Sequence, residues 1–525
     1  MMMTDKAAAG ATRGYLCPER DQLFLMPVSM RDWLEEGHLA WFVLDVVATM
    51  DTSALHLRPG GCAGRPPYQP EMMCALVLYG YCTGVRFSRR IEVACQTDAA
   101  FRVISGGLVP DHATIARFVV DHEHALEGLF VEGVRLCAAA GLADLSVLAL
   151  DGTKIAADAA LDRNRGAEWI RAELGKLMAV TGRDADGGED RAAGLPGVEQ
   201  AAEVRTPRGR EARLRAALAV IEAENAAQAA AAARQSAAAA AAAEQGLKLT
   251  GRKPKDPFAA LARAEIDHAV AVKRLADAMS LQERKRAARR RGEKVTGPRS
   301  RIAREQNTLT RAQAALKTAR DAVTNTTPTT YAVNVTDPAS RIMKTKDGWV
   351  QGYNAQAIVN QHQIVLACQV SQNAGDVQLY EPMITTLTDT LTRANVPGEI
   401  ELMLADAGYW SEQNATAAGP DRLIATLKDH KQRRAARDLG HTTGPPPDST
   451  PIEEMEHLLR TPQGAAAYAQ RSCLIEPVFG NHKHNRQMRN FRRRGLNAVR
   501  SEWSLMHLAG NMLKLYQHNA ATAAA

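Results

Sequence analysis

A chain of 525 residues, 46% apolar and 23% charged, has ordinary globular composition and can hold two or three domains, since single cores stop growing near ~250–300 residues. The net charge of +7 and pI near 9.0 suit a polyanionic partner, and no uninterrupted apolar run of ~18 residues is present to span a membrane as a helix. Eight cysteines, at 17, 62, 74, 82, 95, 137, 368 and 473, form no Cys-x-x-Cys pair, which argues against zinc and a disulfide framework. With an N-terminus lacking an apolar stretch of signal-peptide length, they predict a soluble, cytoplasmic protein.

After a tail of residues 1–27, residues 28–141 read as a helical region. Leu39, Phe42, Val43, Val46, Val47 and Met50 recur at three and four, Pro70 opens EMMCALVLYGYCTG, and Ser88 to Ile104 reads as a further helix. In SGGLVPDHATIARF, Gly106, Gly107 and Pro110 break the chain and Asp111 can cap the next helix. Helix, glycine turn, helix suits a DNA-reading motif, and a plain structural hairpin at least as well.

LSVLALDGTKIAAD, Leu145 to Asp158, is an apolar strand running into Asp151. Taken alone, its Asp-Gly pair reads equally as a strand-ending turn or as a site. Residues 161–327 then read as a helical arm inserted after this strand. Trp169, Ile170, Leu174, Leu177 and Met178 mark one helix, and an acidic, glycine-rich linker runs from Asp184 to Gly197. An alanine-dominated helix spans Arg210 to Gln245, GLKLTGRKPKDPF reverses the chain, and Phe258–Arg291 and Ser300–Val323 are charged helices. From Leu281 to Arg320 there are thirteen Lys or Arg against three Glu. Lacking clustered carboxylates, the arm is expected to bind DNA backbone or a partner subunit and to do no chemistry.

The period then changes to short β-branched segments: YAVNVTDPASR, GYNAQAIVN and QIVLACQV, the last two a hairpin through Asn360 to Gln363. A helix from Asp376 to Ala394 follows, and in ELMLADAGYWSEQN Asp406 closes a strand beginning near Glu401. Residues 142–160 and 328–516 thus form one split α/β domain, followed by a tail, 517–525. Asp151 and Asp406, on neighbouring strands, would make a hard-oxygen metal site lacking a third ligand. Of the later acids, Glu412, Glu453, Glu454 and Glu456 read as helix-start residues, and Glu502 adjoins the apolar Trp503 and Leu505. Glu476 follows a short apolar run, precedes Pro477, and is trailed by Lys483 and a basic cluster, Arg486, Arg489, Arg492, Arg493 and Arg494, suited to DNA. Asp337 and Arg341 stand evenly between a site role and a Thr-Asp-Pro turn. His482 and His484 read as solvated or phosphate-facing, and Trp503 as core.

LALDGTKI, TDPASRIMKTKDGWVQGYNAQAIV, ADAGYW, IEPVFGNHKHNRQMRNFRRRGL and EWSLMHLAGNMLKL together resemble, in this order, the bacterial insertion-sequence transposases of the DDE class. RPPYQPEMMCALVLYGYCTGVRFSRRIE and PDHATIARF resemble that family's first, helical domain. The resemblance implies an α/β RNase H-like catalytic domain, an all-α N-terminal DNA-binding region and a long, coiled-coil-like helical insertion. It implies DNA strand cleavage and strand transfer at transposon ends, with Asp151, Asp406 and Glu476 as ligands of Mg2+, which Mn2+ can replace. Double-stranded DNA is the implied partner, with a homodimer or higher oligomer in the complex and a place at the bacterial nucleoid. Tyr468, Arg471, Glu476 and Lys483 approximate a Tyr, Arg, Glu, Lys signature with one extra residue between Arg471 and Glu476. Pro477 predicts a helix starting at Glu476, with Tyr468 and Arg471 ahead of it. Lys483, nearly two turns on, would share the glutamate's face, where it could be catalytic by holding a phosphate, while Arg471 joins the DNA-binding arginines. A phosphatase of the aspartyl-phosphate type would need a nucleophile where Ala149 stands. A non-catalytic DNA-binding protein would leave the three carboxylates unexplained.

Overall fold

The computed structural model describes residues 29–56, 67–184, 207–244, 257–293, 302–325, 332–428 and 449–524, with isolated positions between 431 and 444. The N-terminal tail, the linker beyond Asp184 and most of GLKLTGRKPKDPF lie outside the described residues. The chain divides into two compact units, one within residues 1–115 and 516–525, the other within 116–515.

The first unit is helical: α1 (Leu39–Thr49), α2 (Pro70–Thr83), α3 (Ser88–Thr97) and α4 (Ala99–Ile104). Helix α2 opens on Pro70, whose missing N–H has no intrahelical partner to lose, and stops at Gly84 with φ 80°. Every residue from Met72 to Cys82 is buried, as expected of a helix that is apolar on all sides. The single helix predicted from Ser88 to Ile104 is two. Asp98 leaves the helical region, and its carboxylate accepts the backbone N–H groups of Ala100 and Phe101, ending one helix and capping the next. Asp111 caps α5 (His112–Asp121) as predicted, accepting from the Thr114 N–H at 2.9 Å.

In the second unit, α6 (Glu123–Ala139) leads into β1 (Val147–Ala156). The arm follows as α7 (Ala167–Asp184), α8 (Pro207–Glu244), α9 (Pro257–Arg290) and α10 (Ile302–Asn325). Two short antiparallel strands, β2 (Asn164–Arg165) and β3 (Val333–Asn334), close its root over a small core of Ile170, Leu214, Ala217, Ile221 and Val333. The main sheet uses β1 with β4 (Arg341–Thr345), β5 (Gly348–Val359), β6 (Val365–Ser371), β7 (Leu402–Ala405) and β8 (Asp421–Ile424). Its order is β4-β5-β1-β7-β8, and β6 joins β5 beside β4. Strand β5 is antiparallel to β1, β4 and β6, whereas β1, β7 and β8 are parallel. Helix α11 (Tyr380–Arg393) links β6 to β7, and α12 (Glu412–Thr416) links β7 to β8. Beyond β8 lie α13 (Pro451–Arg460), α14 (Pro462–Gly480) and α15 (Leu496–Ala524).

Leu148, Ala149 and Leu150 are fully buried, the continuous apolar run of a strand covered on both faces. Helix α15 locks onto the sheet through polar groups as well as apolar ones. The Trp503 indole donates to the Gln356 carbonyl at 3.0 Å, and the Asn511 amide pairs with both the N–H and C=O of Val365. Trp503 is core, as predicted. His482, read from the sequence as solvated or phosphate-facing, is buried. Arg486 donates to its Nδ1 at 3.2 Å, so its Nε2 carries the proton and donates to His507 Nδ1 at 3.1 Å.

Burial, and secondarily the Arg486 charge, lower the His507 pKa to about 3. The unfolded imidazole titrates near ~6.5, so the unfolded state binds more protons below that pH. The stability His507 contributes is therefore complete above ~6.5 and is lost as pH falls toward 3, by up to ~1.4 kcal/mol per pH unit. His507→Asn should flatten the decline of the urea midpoint between pH 6 and 4, roughly the upper part of that window. An unchanged slope would exclude His507 as its source.

Candidate active site

The parallel pairing of β1 with β7 sets Leu150 opposite Ala405, so the next residues, Asp151 and Asp406, sit side by side on strands spaced ~4.8 Å apart. Their backbones then diverge. Asp151 is not at a turn: β1 continues to Ala156, with Asp151 opposite Ala357 of β5. Asp406 does end its strand, and its carboxylate caps a short 3-10 turn by accepting the Gly408 N–H at 2.9 Å.

The Asp151 side chain is 21% exposed. Its Oδ2 accepts from Arg471 Nη1 at 3.0 Å and its Oδ1 from the Gly152 N–H at 2.7 Å. Burial pushes its pKa up to about 6, with Arg471 opposing the shift and the charge of Asp406 adding to it. The Lys483 ammonium donates to the Thr153 hydroxyl. Burial lowers its pKa, Asp151 counteracts this, and Lys346 contributes a further lowering.

A third aspartate, missed in the sequence, adjoins this pair. A Cβ at Gly408 would stand 3.0 Å from Asp406 Oδ1 and 3.2 Å from Asp376 Oδ2, so both carboxylates reach the same turn. Asp376 Oδ1 accepts from Asn354 at 2.6 Å, Gln356 at 3.0 Å and Lys154 at 3.2 Å. Buried Tyr409 donates to Gln356 Oε1, and burial plus the charges of Asp151, Asp376 and Asp406 hold its phenol well above the usual range. The signal was present in GYNAQAIVN. Asn354 and Gln356 are polar residues at alternate positions of this largely apolar stretch, hence on one face.

Helix α14 corrects the helix start predicted at Glu476. It begins at Pro462, capped by the Thr461 hydroxyl accepting from the Gly464 N–H, and carries Pro477 inside it. Tyr468, Arg471 and Glu476 therefore share one helix. Buried Arg471 faces Asp151, whereas Glu476, roughly 140° further round, is exposed. Among the described residues no three His, Cys, Asp or Glu side chains form a group that could hold a metal ion.

The basic cluster is also more committed than its sequence suggested. Arg486 is buried and donates to His482 and to the Met506 carbonyl. Arg493 pairs with Glu123 and Arg494 with Asp158, while Arg489 and Arg492 are exposed. Fully buried Glu502 accepts the backbone N–H groups of Arg492 and Arg493, holding the loop that bears them. Buried Asp337 accepts from the Tyr353 hydroxyl and the Gly495 N–H, and Arg341 pairs with Glu224 of the arm, so TDPASR has structural work in this fold.

Residues 28–121 match the family model of the transposase domain (DUF772), and residues 317–512 that of the transposase DDE domain. The chain belongs to the insertion-sequence DDE transposases, a class that acts on DNA and generally uses a divalent metal. No curated protein and no solved structure matches it. Among the described residues no helix is long and apolar enough to cross a membrane. Asp151 lies outside both matched stretches, so its place beside Asp406 rests on the strand register.

Gly152 faces Gln356. A Cβ there would meet Gln356 Nε2 at 2.1 Å and Asn354 Oδ1 at 3.1 Å. Gly152→Ala should displace the amide that links Asp376 to Tyr409 and destabilise the protein by about 1–3 kcal/mol. The urea midpoint measures this, and an unshifted midpoint would show that the amide layer yields freely.

Proposed function

We propose that the protein cleaves DNA at the ends of an insertion sequence and joins them to target DNA, with Asp151, Asp406 and Glu476 as its metal-binding carboxylates. The observation that carries this reading is the pairing of Leu150 with Ala405, which sets two aspartates side by side across the length of the arm. The strand order, with β5 antiparallel between β6 and β1, supports an RNase H-like catalytic domain. The helical region before it, residues 28–141, would bind DNA.

The donor set fits magnesium, for which manganese could substitute, because two adjoining carboxylates with no soft ligand are what a small hard cation takes alongside water and phosphate. Bound there, such an ion stabilises negative charge on the phosphoryl oxygens and lowers the pKa of water. Glu476 is the proposed third carboxylate, from its place ahead of Pro477 and Lys483, on a helix that already reaches β1 through Arg471. Lys483, which reaches β1 at Thr153, two residues beyond Asp151, would hold a phosphate oxygen. Arg471 keeps the Asp151 carboxylate oriented, and with exposed Arg489 and Arg492 adds positive charge for DNA. Arg486, Arg493 and Arg494 would act by supporting that surface. Water attacks the phosphodiester, leaving a 5′ phosphate and freeing a 3′ hydroxyl, which then attacks a phosphodiester of target DNA and displaces the target strand's own 3′ hydroxyl. The working form would be a homodimer or higher oligomer on double-stranded DNA, at the nucleoid of the cytoplasm.

Asp151→Asn, Asp406→Asn and Glu476→Gln should each abolish cleavage of DNA carrying the element's ends, and the triple variant should be no worse than any one of them. Near wild-type cutting by Glu476→Gln would remove it from the assignment. Cleavage should need magnesium or manganese, and activity persisting in chelator or supported by zinc would contradict the hard-oxygen site.

On α9, Arg284, Arg286, Arg289 and Arg290 are exposed. If the arm lies along DNA, neutralising them together with Lys285 and Arg291 should flatten the dependence of log Kd on log salt by ~0.9 for each phosphate that is no longer neutralised. An unchanged slope places this cluster away from DNA.

A further inference from the structure

Strands β4 and β5 form a hairpin turning through Lys346 and Asp347, with Lys344 opposite Trp349 and Ile342 opposite Gln351. The outer face of such a hairpin is normally polar. Here Trp349 is 63% exposed and Ile342 46% exposed, and alternation along the strands puts them on the same face as Lys344. Trp349 is the most exposed large apolar side chain among the described residues. Single exposed apolar residues are common, but an exposed indole opposite Lys344, with Lys346 in the same hairpin's turn, is not explained by the fold. The hairpin also lies within electrostatic reach of the site, since the Lys346 charge acts on Lys483, which bonds Thr153 beside Asp151.

We propose that the β4–β5 hairpin binds DNA at an unpaired nucleotide, with Trp349 stacking on the base and Lys344 and Lys346 holding the flanking phosphates. The proposal rests on the reading of the chain as a DNA-cleaving transposase and adds a structural preference within DNA. The chemistry favours this occupant over a protein groove. A flat π face with Lys344 opposite it and Lys346 in the adjoining turn matches a base and its neighbouring phosphates, and such stacking tolerates any base because every base has a π face. In an intact duplex each base's faces are covered by the base pairs stacked above and below it, so the preference must be for melted, bulged or frayed DNA. Next to a site that cuts and joins strand ends, an element of this kind would hold a strand apart from its complement.

The test uses the full chain and two labelled probes, a random-sequence duplex and the same duplex with a short unpaired thymine bulge. Wild type should bind the bulged probe about tenfold more tightly or better. Trp349→Ala should erase that preference while leaving intact-duplex affinity unchanged, and Trp349→Phe should keep part of it. Lys344→Gln with Lys346→Gln should weaken both probes and flatten the salt dependence for each. A wild type without the preference, or a Trp349→Ala protein that keeps it, overturns the proposal and leaves the DNA reading standing. A wild type that binds neither probe overturns the DNA reading and the proposal with it.

Discussion

Strand β1 is held on both edges by ladders of opposite sense, and the candidate site is a consequence of where those ladders end. The parallel ladder to β7 covers Val147 to Leu150, and the antiparallel ladder to β5 covers Ala149 to Ala156. They overlap only at Ala149 and Leu150. Just past that overlap β7 turns away through Asp406, while β1 is carried straight on by β5. Asp151 is thus the first residue whose β7 side is open, and Asp406 is the residue that opens it. A carboxylate there is largely sheltered by the sheet, and this burial is what raises the Asp151 pKa.

Two like charges in that gap repel, and the surrounding groups offset this from three directions. Arg471 comes from α14 to Asp151, the Gly408 N–H comes from the turn to Asp406, and Lys483 stands beside Thr153. Beneath them, Asn354 and Gln356 bind Asp376, and Gln356 accepts from Tyr409. Buried polar groups specify one arrangement when all are satisfied, because each unsatisfied alternative is costly. Gly152 belongs to the same device, since any side chain there would occupy the place of the Gln356 amide.

The sequence was most legible where information is local. The strands of Asp151 and Asp406, the hairpin through Asn360 to Gln363, and the helix after Asp376 all lie where periodicity and turn residues put them. It was least legible where a distant partner decides. Nothing near Asp151 says that β1 outlasts its Asp-Gly pair, because the extension is imposed by β5, which follows only after the whole of the arm. Pro477 suggested a helix start, but α14 tolerates it near its C-terminal end, where one lost N–H bond interrupts little helix. The arginine run looked like a free basic face, and only the fold supplies Glu123, Asp158, His482 and Glu502, which tie it down. Asp376 carried no motif at all, and its role is visible only from the residues that converge on it.

The arm shows why so long an insertion need not disturb the site. The chain leaves through Asn164 and Arg165 and returns through Val333 and Asn334, which pair directly, so the two ends are held at strand spacing whatever lies between. The Asn334 amide donates to the Ala160 carbonyl and Val335 to that of Arg163, closing the junction on the side of β1. The Arg341–Glu224 pair then ties α8 to the first residue of β4. With the root fixed, extra length adds closure entropy only as a logarithm, about 0.6 kcal/mol for each doubling. The arm's helices pack mainly on one another and on the core at that root, so their ordering is separable from the register of β1, β5 and β7. The side-by-side placement of Asp151 and Asp406 is thus set by strand pairing and held by Arg471 of α14, with no contribution from the length or sequence of the arm.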